Sequence, residues 1–448
     1  MEKHTLTQGK VSRGLLAFVL PIIAGSLIQQ LYVTVDAIVV GQFTGQLGLA
    51  AIDSVHTLFK FPLNFMNGLA AGATIMISGY YGSGNKEELH CSIRTACTVA
   101  VLLGILCSLG GVLLTPWMLN IMSVPTEVYS RAEAYTRIYF GGIWSMILYN
   151  MAAGILRAHG DSKRPLYVLI CCAVVNIVGD LLLVGVLEMG VSGAALATVA
   201  SQIVSVVLTF LLLEHTLGTK KGEKPLWMPH FCREHMMQML TKGFPLALQS
   251  MLFPIANSIV QAGVNTMGTV QIAAWGICDK LNMLIWLIAD SMSPALTTFT
   301  AQNLGAKNPH RIRSGVAIGT GMSALAVALV SGILFLFAYS MTPWFVDAKD
   351  AVTLAPLVSR YTRMMAPFFV FYAVAEALSG ACCGTGDTVR SMVTTLVTIC
   401  LTRVVSILLI LPRVGTMECI VYIYIASWIA AGVAFTCLWC SKLPKLKE

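Results

Sequence analysis

LYVLICCAVVNIVGDLLLVGVL, residues 166–187, has one charged side chain, Asp180, in 22 positions. A helix of about 20 apolar residues crosses the hydrocarbon of a bilayer, so this run reads as a transmembrane span. A carboxylate at such a depth costs roughly 3 kcal/mol if it faces lipid. Asp180 must therefore face protein or a water-filled cavity.

Working outward, twelve segments read this way: 14–40, 50–80, 94–115, 131–156, 165–187, 192–214, 241–262, 273–300, 314–340, 355–382, 390–412 and 418–440. The chain of 448 residues is 56% hydrophobic and 11% charged, with a mean hydropathy of +0.77. A soluble protein carries about 25% charged residues. The chain reads as an integral membrane protein, and long unbroken apolar runs select helices over a barrel. The first span is too long for a signal peptide and has no cleavage site, so it reads as an uncleaved helix.

The net charge of +8 is distributed as a topology signal. With the N-terminus inside, the inner loops hold Lys3, Lys10, Arg13, Lys86, Arg94, Arg157, Lys163, Arg164, Lys220, Lys221, Lys224, Arg233, Lys307, Arg311, Arg313, Arg390, Lys442, Lys445 and Lys447. The outer loops hold Lys349 and Arg413. This is the positive-inside pattern. It predicts a cell inner (plasma) membrane protein with both termini cytoplasmic, and it replaces any nucleic-acid reading of the charge. The 13 cysteines are scattered along the chain and read as small apolar residues.

The chain repeats itself. LPIIAGSLIQQ from Leu20 is echoed by FPLALQSMLFP from Phe244, and YYGSGNKEELHCSIRTA by AQNLGAKNPHRIRSGVA. AYTRIYF matches RYTRMMA, and GILRAHGDSKRP matches GACCGTGDTVRS, aligning Asp161 with Asp387. The offsets are 224, 223, 226 and 226 residues, in order along the chain. The expected fold is all-α: an N-terminal lobe (1–217), a cytoplasmic linker (218–235) and a C-terminal lobe (236–448). Each lobe starts and ends inside, so the two six-helix lobes are expected to be related by a pseudo-two-fold axis along the membrane normal. Parallel repeats of this kind suit transporters that rock about a central site.

Asn176 and Asp180 are four residues apart and share a helical face. Counted from the inner start near Pro165, Asp180 sits about 22 Å up. Asp36, Tyr135 and Thr198 fall at the same depth on three other helices, and Asn150 lies deeper. Two carboxylates in one low-dielectric cavity cannot both ionise cheaply, so the pair is suited to bind a proton or transiently Na⁺. Their counterparts in the second half are Val260 for Asp36, Thr402 for Asn176 and Ser406 for Asp180, which confines this cation site to the N-terminal lobe.

Asp53, His56, Lys60, Asn64 and Asn67 form a polar stripe on the second helix that either lines a cavity or is internally satisfied structure. Asp279, Lys280 and Asp290 on the eighth read the same two ways. Glu376 is the best acid of the second lobe, and Arg403 is expected to pair with an acid. Candidate substrate-cavity residues are Glu376, Gln249, Met251, Met283, Asp53 and His56, the methionines providing an adaptable apolar wall. No G-x-x-x-x-G-K-[ST], H-E-x-x-H or G-x-S-x-G occurs. Gly179-Asp180 is half of a G-x-G-D protease motif, but Ile177 stands where the first glycine belongs. No enzyme or cofactor is expected.

TQG at 7–9, LPIIAGSLIQQLYVTVDAIVVGQF, GILRAHGDSKRPL, NIVGDLLLV and LSGACCGTGDT together resemble the multidrug and toxic compound extrusion (MATE) transporters, most closely their DinF-like branch, along essentially the whole chain. The resemblance implies an antiporter without a cofactor that exports amphipathic, mainly cationic drugs in exchange for H⁺ or Na⁺. It implies a cation site at Asp36, Tyr135, Asn150, Asn176, Asp180 and Thr198, membrane lipid as surroundings, and a monomer. Acids that the NorM-like branch carries in the seventh and tenth helices fall here near Phe253–Pro254 and Tyr372, one turn from Glu376. Cys383 stands where the family usually shows Arg, whereas its first-half partner Arg157 is present. The alternative is a lipid-linked oligosaccharide flippase, which should carry basic cavity residues and helices beyond twelve.

Overall fold

The computed structural model describes residues 6–217, 225–226 and 228–444, all helix, turn or loop without a strand among them. Lys3, residues 218–224 and Trp227 of the linker, and residues 445–448 lie outside the described residues. The first helix, α1 (Val11–Ser83), has 73 residues. At 1.5 Å per residue it would extend about 110 Å, far beyond one bilayer of about 30 Å. It breaks at Gly45, whose φ of 69° and ψ of −169° suit a residue without a Cβ. Its arms, 11–44 and 46–83, are the first two spans.

The remaining first-half spans are α2 (Lys86–Ile121), α3 (Thr126–Ala158), α4 (Lys163–Asp180) with a π-helical turn at Leu181–Val186, and α5 (Gly190–Leu217). The second half has α6 (Arg233–Asn265), α7 (Thr269–Gly305) and α8 (Pro309–Met341). Its tenth span joins α9 (Ala348–Met365) to α10 (Phe369–Gly384) through a 3₁₀ turn. The eleventh comprises α11 (Thr388–Thr395), a π turn at Leu396–Leu401, α12 (Thr402–Leu409) and α13 (Leu411–Val414), and the last is α14 (Met417–Lys442). Among the described residues, eleven stretches are long and apolar enough to cross a membrane. The bent first stretch supplies two crossings, giving twelve transmembrane helices. On α2, Leu102, Leu106, Leu109 and Leu113 are all exposed at helical spacing, as a lipid-facing stripe requires.

The helices form two compact units. The N-unit is Leu20–Ala247; the C-unit combines Leu248–Glu448 with Met1–Val19. Both unit boundaries fall inside a helix. The start of α6 packs in the N-unit, and the start of α1 packs in the C-unit.

Small residues explain the first of these exchanges. A Cβ on Gly68 would lie 2.2 Å from Ala247 Cα, and one on Gly72 2.3 Å from Gly243 Cα. The second arm of α1 therefore meets α6 backbone to backbone. Lipid tails supply no hydrophobic drive between helices, so such close van der Waals contact is what holds them together.

The internal repeat reappears inside each unit. In the N-unit, Gly154 of α3 leaves room for Thr74 Oγ1, which would be 2.7 Å from a Cβ. In the C-unit, Thr297 Oγ1 donates to the Gly380 carbonyl at 2.9 Å. Asn85 and Asn308 both cap helices, accepting from the backbone N–H of Glu88 at 3.3 Å and of Arg311 at 3.1 Å. Each pair keeps the sequence offset of its repeat.

Replacing Gly72 by Val should destabilise the protein by about 1–3 kcal/mol through overpacking. Thermal unfolding of the detergent-solubilised protein checks this, with Gly79→Val as control because nothing lies within 4 Å of a Cβ at Gly79. Equal melting of the two variants would refute the close-contact account.

Candidate functional site

In the N-unit, α4 ends at Asp180, where its ladder passes into the π turn. Such turns re-aim side chains and recur at functional sites. The Asp180 carboxyl meets that of Asp36, from the first arm of α1, within hydrogen-bonding reach. Both are acceptors unless a proton or cation comes between them. Neither finds a protein donor: Asp36 Oδ1 and both oxygens of Asp180 are buried without a hydrogen-bond partner. Asp180 is fully buried, at 0% exposure.

The other predicted residues fall around this pair. Asn176, one turn before Asp180, donates from Nδ2 to Thr198 Oγ1 of α5 at 3.5 Å, and its own Oδ1 is buried without a partner. Thr198 in turn donates to the Ala194 carbonyl at 3.0 Å. Tyr135 of α3 is buried within electrostatic reach of both acids. Asn150 is half-buried on α3 and makes no hydrogen bond to any of these groups. The structure thus brings five of the six together.

Two tyrosines were missed by sequence reasoning. Tyr32, one turn before Asp36, and Tyr139, one turn after Tyr135, also stand within electrostatic reach of Asp36. Tyr135 and Tyr139 stack with ring centroids 5.9 Å apart, and Phe59 covers Tyr139 at 4.1 Å. Their i, i+4 spacing from recognised site residues was the available signal.

On the second arm of α1, Ala51, Val55 and Phe59 face the core of the N-unit. Asp53, His56, Lys60 and Asn67 lie exposed on other faces, and Asn64 is half-buried.

The C-unit encloses a cavity of about 230 Å³ lined by Asn257, Asp279, Trp286, Asp290, Tyr372 and Arg403, among others. The Tyr372 hydroxyl donates to Asp290 Oδ1 at 2.7 Å, and Glu376 stands one turn along, within electrostatic reach of Asp290. Asp290 is thus the acid that sequence reasoning underweighted, because its partners come from α10, distant in sequence. Arg403 does not pair with an acid as expected. It is 2% exposed. Its Nη1 donates to Asn257 Oδ1 and its Nε to Ser427 Oγ, each at 3.0 Å, and its guanidinium lies 4.0 Å from the centroid of Tyr424. Two neutral acceptors and a ring face disperse the charge instead. Glu376, Gln249, Met251 and Met283 do not line this cavity. Gln249 is half-buried with its Oε1 unpartnered, Met251 is half-buried and Met283 is exposed.

At the C-terminal end of α10, Cys383 is buried. Nearby Asp387 is held by Lys442 Nζ at 2.6 Å and Arg390 at 3.6 Å.

The MatE family model matches residues 21–182 and 245–409, one segment in each half. The chain belongs to the MatE family. It is a multi-pass membrane transporter and not an enzyme. Among relatives, it is 27% identical over 356 residues to "Probable multidrug resistance protein YoeA" of Bacillus subtilis (strain 168), covering 77% of this chain and 76% of that protein. It is 26% identical over 399 residues to "Probable multidrug resistance protein YpnP" of the same organism, covering 89% and 88%. In fold it is similar to a solved MATE in the bent conformation, with a TM-score of 0.91 at 20% identity, covering 100% of this chain and 98% of the other. No branch within the MatE family is singled out by these similarities.

Arg403→Met should leave Asn257 and Ser427 without their buried donor and cost about 1–3 kcal/mol. Thermal unfolding in detergent reads the loss. A variant as stable as the parent would show that these hydrogen bonds contribute nothing net.

Proposed function

We propose that this MatE protein exports amphipathic, mainly cationic small molecules in exchange for H⁺ or Na⁺ bound between Asp36 and Asp180. The observation that carries the reading is the donor-free meeting of these two carboxyls in an apolar bundle. One proton or one Na⁺ between them would supply the missing counter-charge, and Asn176, Thr198 and Tyr135 would surround it with oxygens and a hydroxyl. Loss of that cation leaves two like charges in a poorly solvated place, a state that a rearranged bundle would relieve. The names of the YoeA and YpnP relatives support drugs as the exported class. We place the DinF-like resemblance, a monomer, the cell inner membrane and cytoplasmic termini in the same reading, with the lobes and linker at 1–217, 218–235 and 236–448.

An oligosaccharide flippase is less well supported. The one base lining the C-unit cavity, Arg403, is already engaged by Asn257, Ser427 and Tyr424.

Asp36→Asn and Asp180→Asn should each lower gradient-driven efflux of a fluorescent organic cation from proteoliposomes by at least about tenfold, with folding retained. Running the assay under ΔpH and ΔNa⁺ separately identifies the ion. Parental efflux in both variants would remove the pair from the coupling site.

In the C-unit, Asp290 lines the cavity, and Glu376 behind it adds to the acidic character that a cationic substrate would meet. Partly desolvated charge pairing of this kind is worth about tenfold in affinity. Glu376→Gln should therefore weaken binding of a cation while sparing a neutral compound of similar size. Equal weakening of both would make Glu376 structural.

A further inference from the structure

Cys91, Cys232 and His235 offer two sulfurs and a ring nitrogen that all lie within 4.8 Å of one another. Glu88 adds a carboxylate, its Oε2 2.7 Å from His235 Nε2. Glu88 and Cys91 sit three residues apart at the start of α2, and Cys232 and His235 three apart at the start of α6. Each pair therefore faces the other from one turn of helix. The cluster lies wholly in the N-unit.

His235 is 3% exposed; Glu88 Oε2 approaches its Nε2, and neither of its buried ring nitrogens makes a well-formed hydrogen bond. The Cys91 and Cys232 thiols are in hydrogen-bonding contact with each other. Three lone-pair donors thus converge, with the Glu88 carboxylate against His235, and a cation would satisfy them together.

The matching place in the C-unit is built differently. Arg311, which aligns with Glu88 across the repeat, donates from Nε to the carbonyl of Leu6 at 3.0 Å, from Nη1 to Gly9 at 2.8 Å and from Nη2 to Gln8 at 2.7 Å. That guanidinium clamps the chain leading into α1. In the N-unit the chain leading into α6 is held by neutral bonds: His230 N–H to Thr98 Oγ1 at 3.0 Å, Cys232 N–H to Thr95 Oγ1 at 3.3 Å, and Arg94 Nε to the Met228 carbonyl at 3.1 Å. The place of the C-unit clamp is taken by the sulfur, nitrogen and carboxylate cluster.

We propose that Cys91, Cys232, His235 and Glu88 form a structural zinc site that ties the start of α6 to α2. Two thiolates, an imidazole and a carboxylate complete a closed tetrahedral zinc shell. Bonds of about 2.3 Å to sulfur and 2.0–2.1 Å to nitrogen require ligand atoms under about 4 Å apart, a small contraction from the separations among Cys91, Cys232 and His235, while the exposed side chain of Glu88 would turn to supply the fourth ligand. Zinc without an open position does no chemistry; it holds a joint. Softer thiolate ligation favours zinc over Mg²⁺ or Ca²⁺.

The test uses full-length protein in detergent, purified through a tag without histidines, incubated with zinc chloride and desalted. Elemental analysis should find about one zinc per chain, as a closed site retains its metal. Cys91→Ser and His235→Ala should lose it, whereas Cys171→Ser and Cys437→Ser, which remove exposed thiols elsewhere, should keep it. Cobalt in place of zinc should give a thiolate-to-metal charge-transfer band in the parent and not in Cys91→Ser. Alkylation mapped by mass spectrometry needs no variant: zinc should protect Cys91 and Cys232 in the parent protein. The proposal is overturned if the parent retains no zinc, if Cys91→Ser and His235→Ala retain it undiminished, if zinc leaves both thiols open to alkylation, or if the two cysteines are isolated as a disulfide.

Discussion

Within hydrocarbon a backbone N–H or carbonyl has no water to bond, so each crossing must close its own hydrogen-bond ladder. Every other feature of this chain is arranged around that constraint. Continuous helix is the default, and departures from it are confined to a few positions. Gly45 divides a 73-residue helix, and Gly415, with φ 64°, ends α13. The π turns at Leu181–Val186 and Leu396–Leu401 interrupt the fifth and eleventh spans. The first follows Asp180 directly, and the second ends two residues before Arg403. The polar side chains that matter most flank the places where the ladder is reorganised.

The two halves repeat their scaffold and diverge in chemistry. Thr74 against Gly154, and Thr297 against Gly380, are one packing solution used twice. Around it, the N-unit brings together two acids that no protein group neutralises, whereas the C-unit buries a base held by Asn257, Ser427 and Tyr424. Asp180 aligns with Ser406, and Arg403 aligns with Ile177. Backbone close approach depends on small residues at fixed positions, so it survives a duplication. A buried charge depends on a handful of side chains and changes freely between copies.

The exchange of helix starts between the two units follows from the same close packing. Gly68 and Gly72 admit Gly243 and Ala247 so tightly that the beginning of α6 belongs to the N-unit. In the C-unit, Arg311 and Asn303 take the Leu6 carbonyl, at 3.0 and 3.3 Å, and draw in the chain before α1. Each half of the sequence thus lends the other unit its first turns.

Much was legible in the residues alone. Twelve crossings, their helical character and the duplication follow from apolar run length and from matches at a constant offset, which are local properties of the chain. Asp36, Asn176, Asp180, Tyr135 and Thr198 could be grouped because depth along a span is a count of residues at a fixed rise. That count says nothing of rotation about the helix axis. Asp290, Tyr32 and Tyr139 were underweighted or passed over for that reason, as was the expected acid partner of Arg403. The meeting of Glu88 and Cys91 with Cys232 and His235 was equally hidden, because about 140 residues separate the two pairs and only helix packing closes that distance. Sequence alone determined what crosses the membrane and how often. Which side chains meet was decided by the tertiary structure, since contacts in a bundle depend on rotations and close approaches that no single helix encodes.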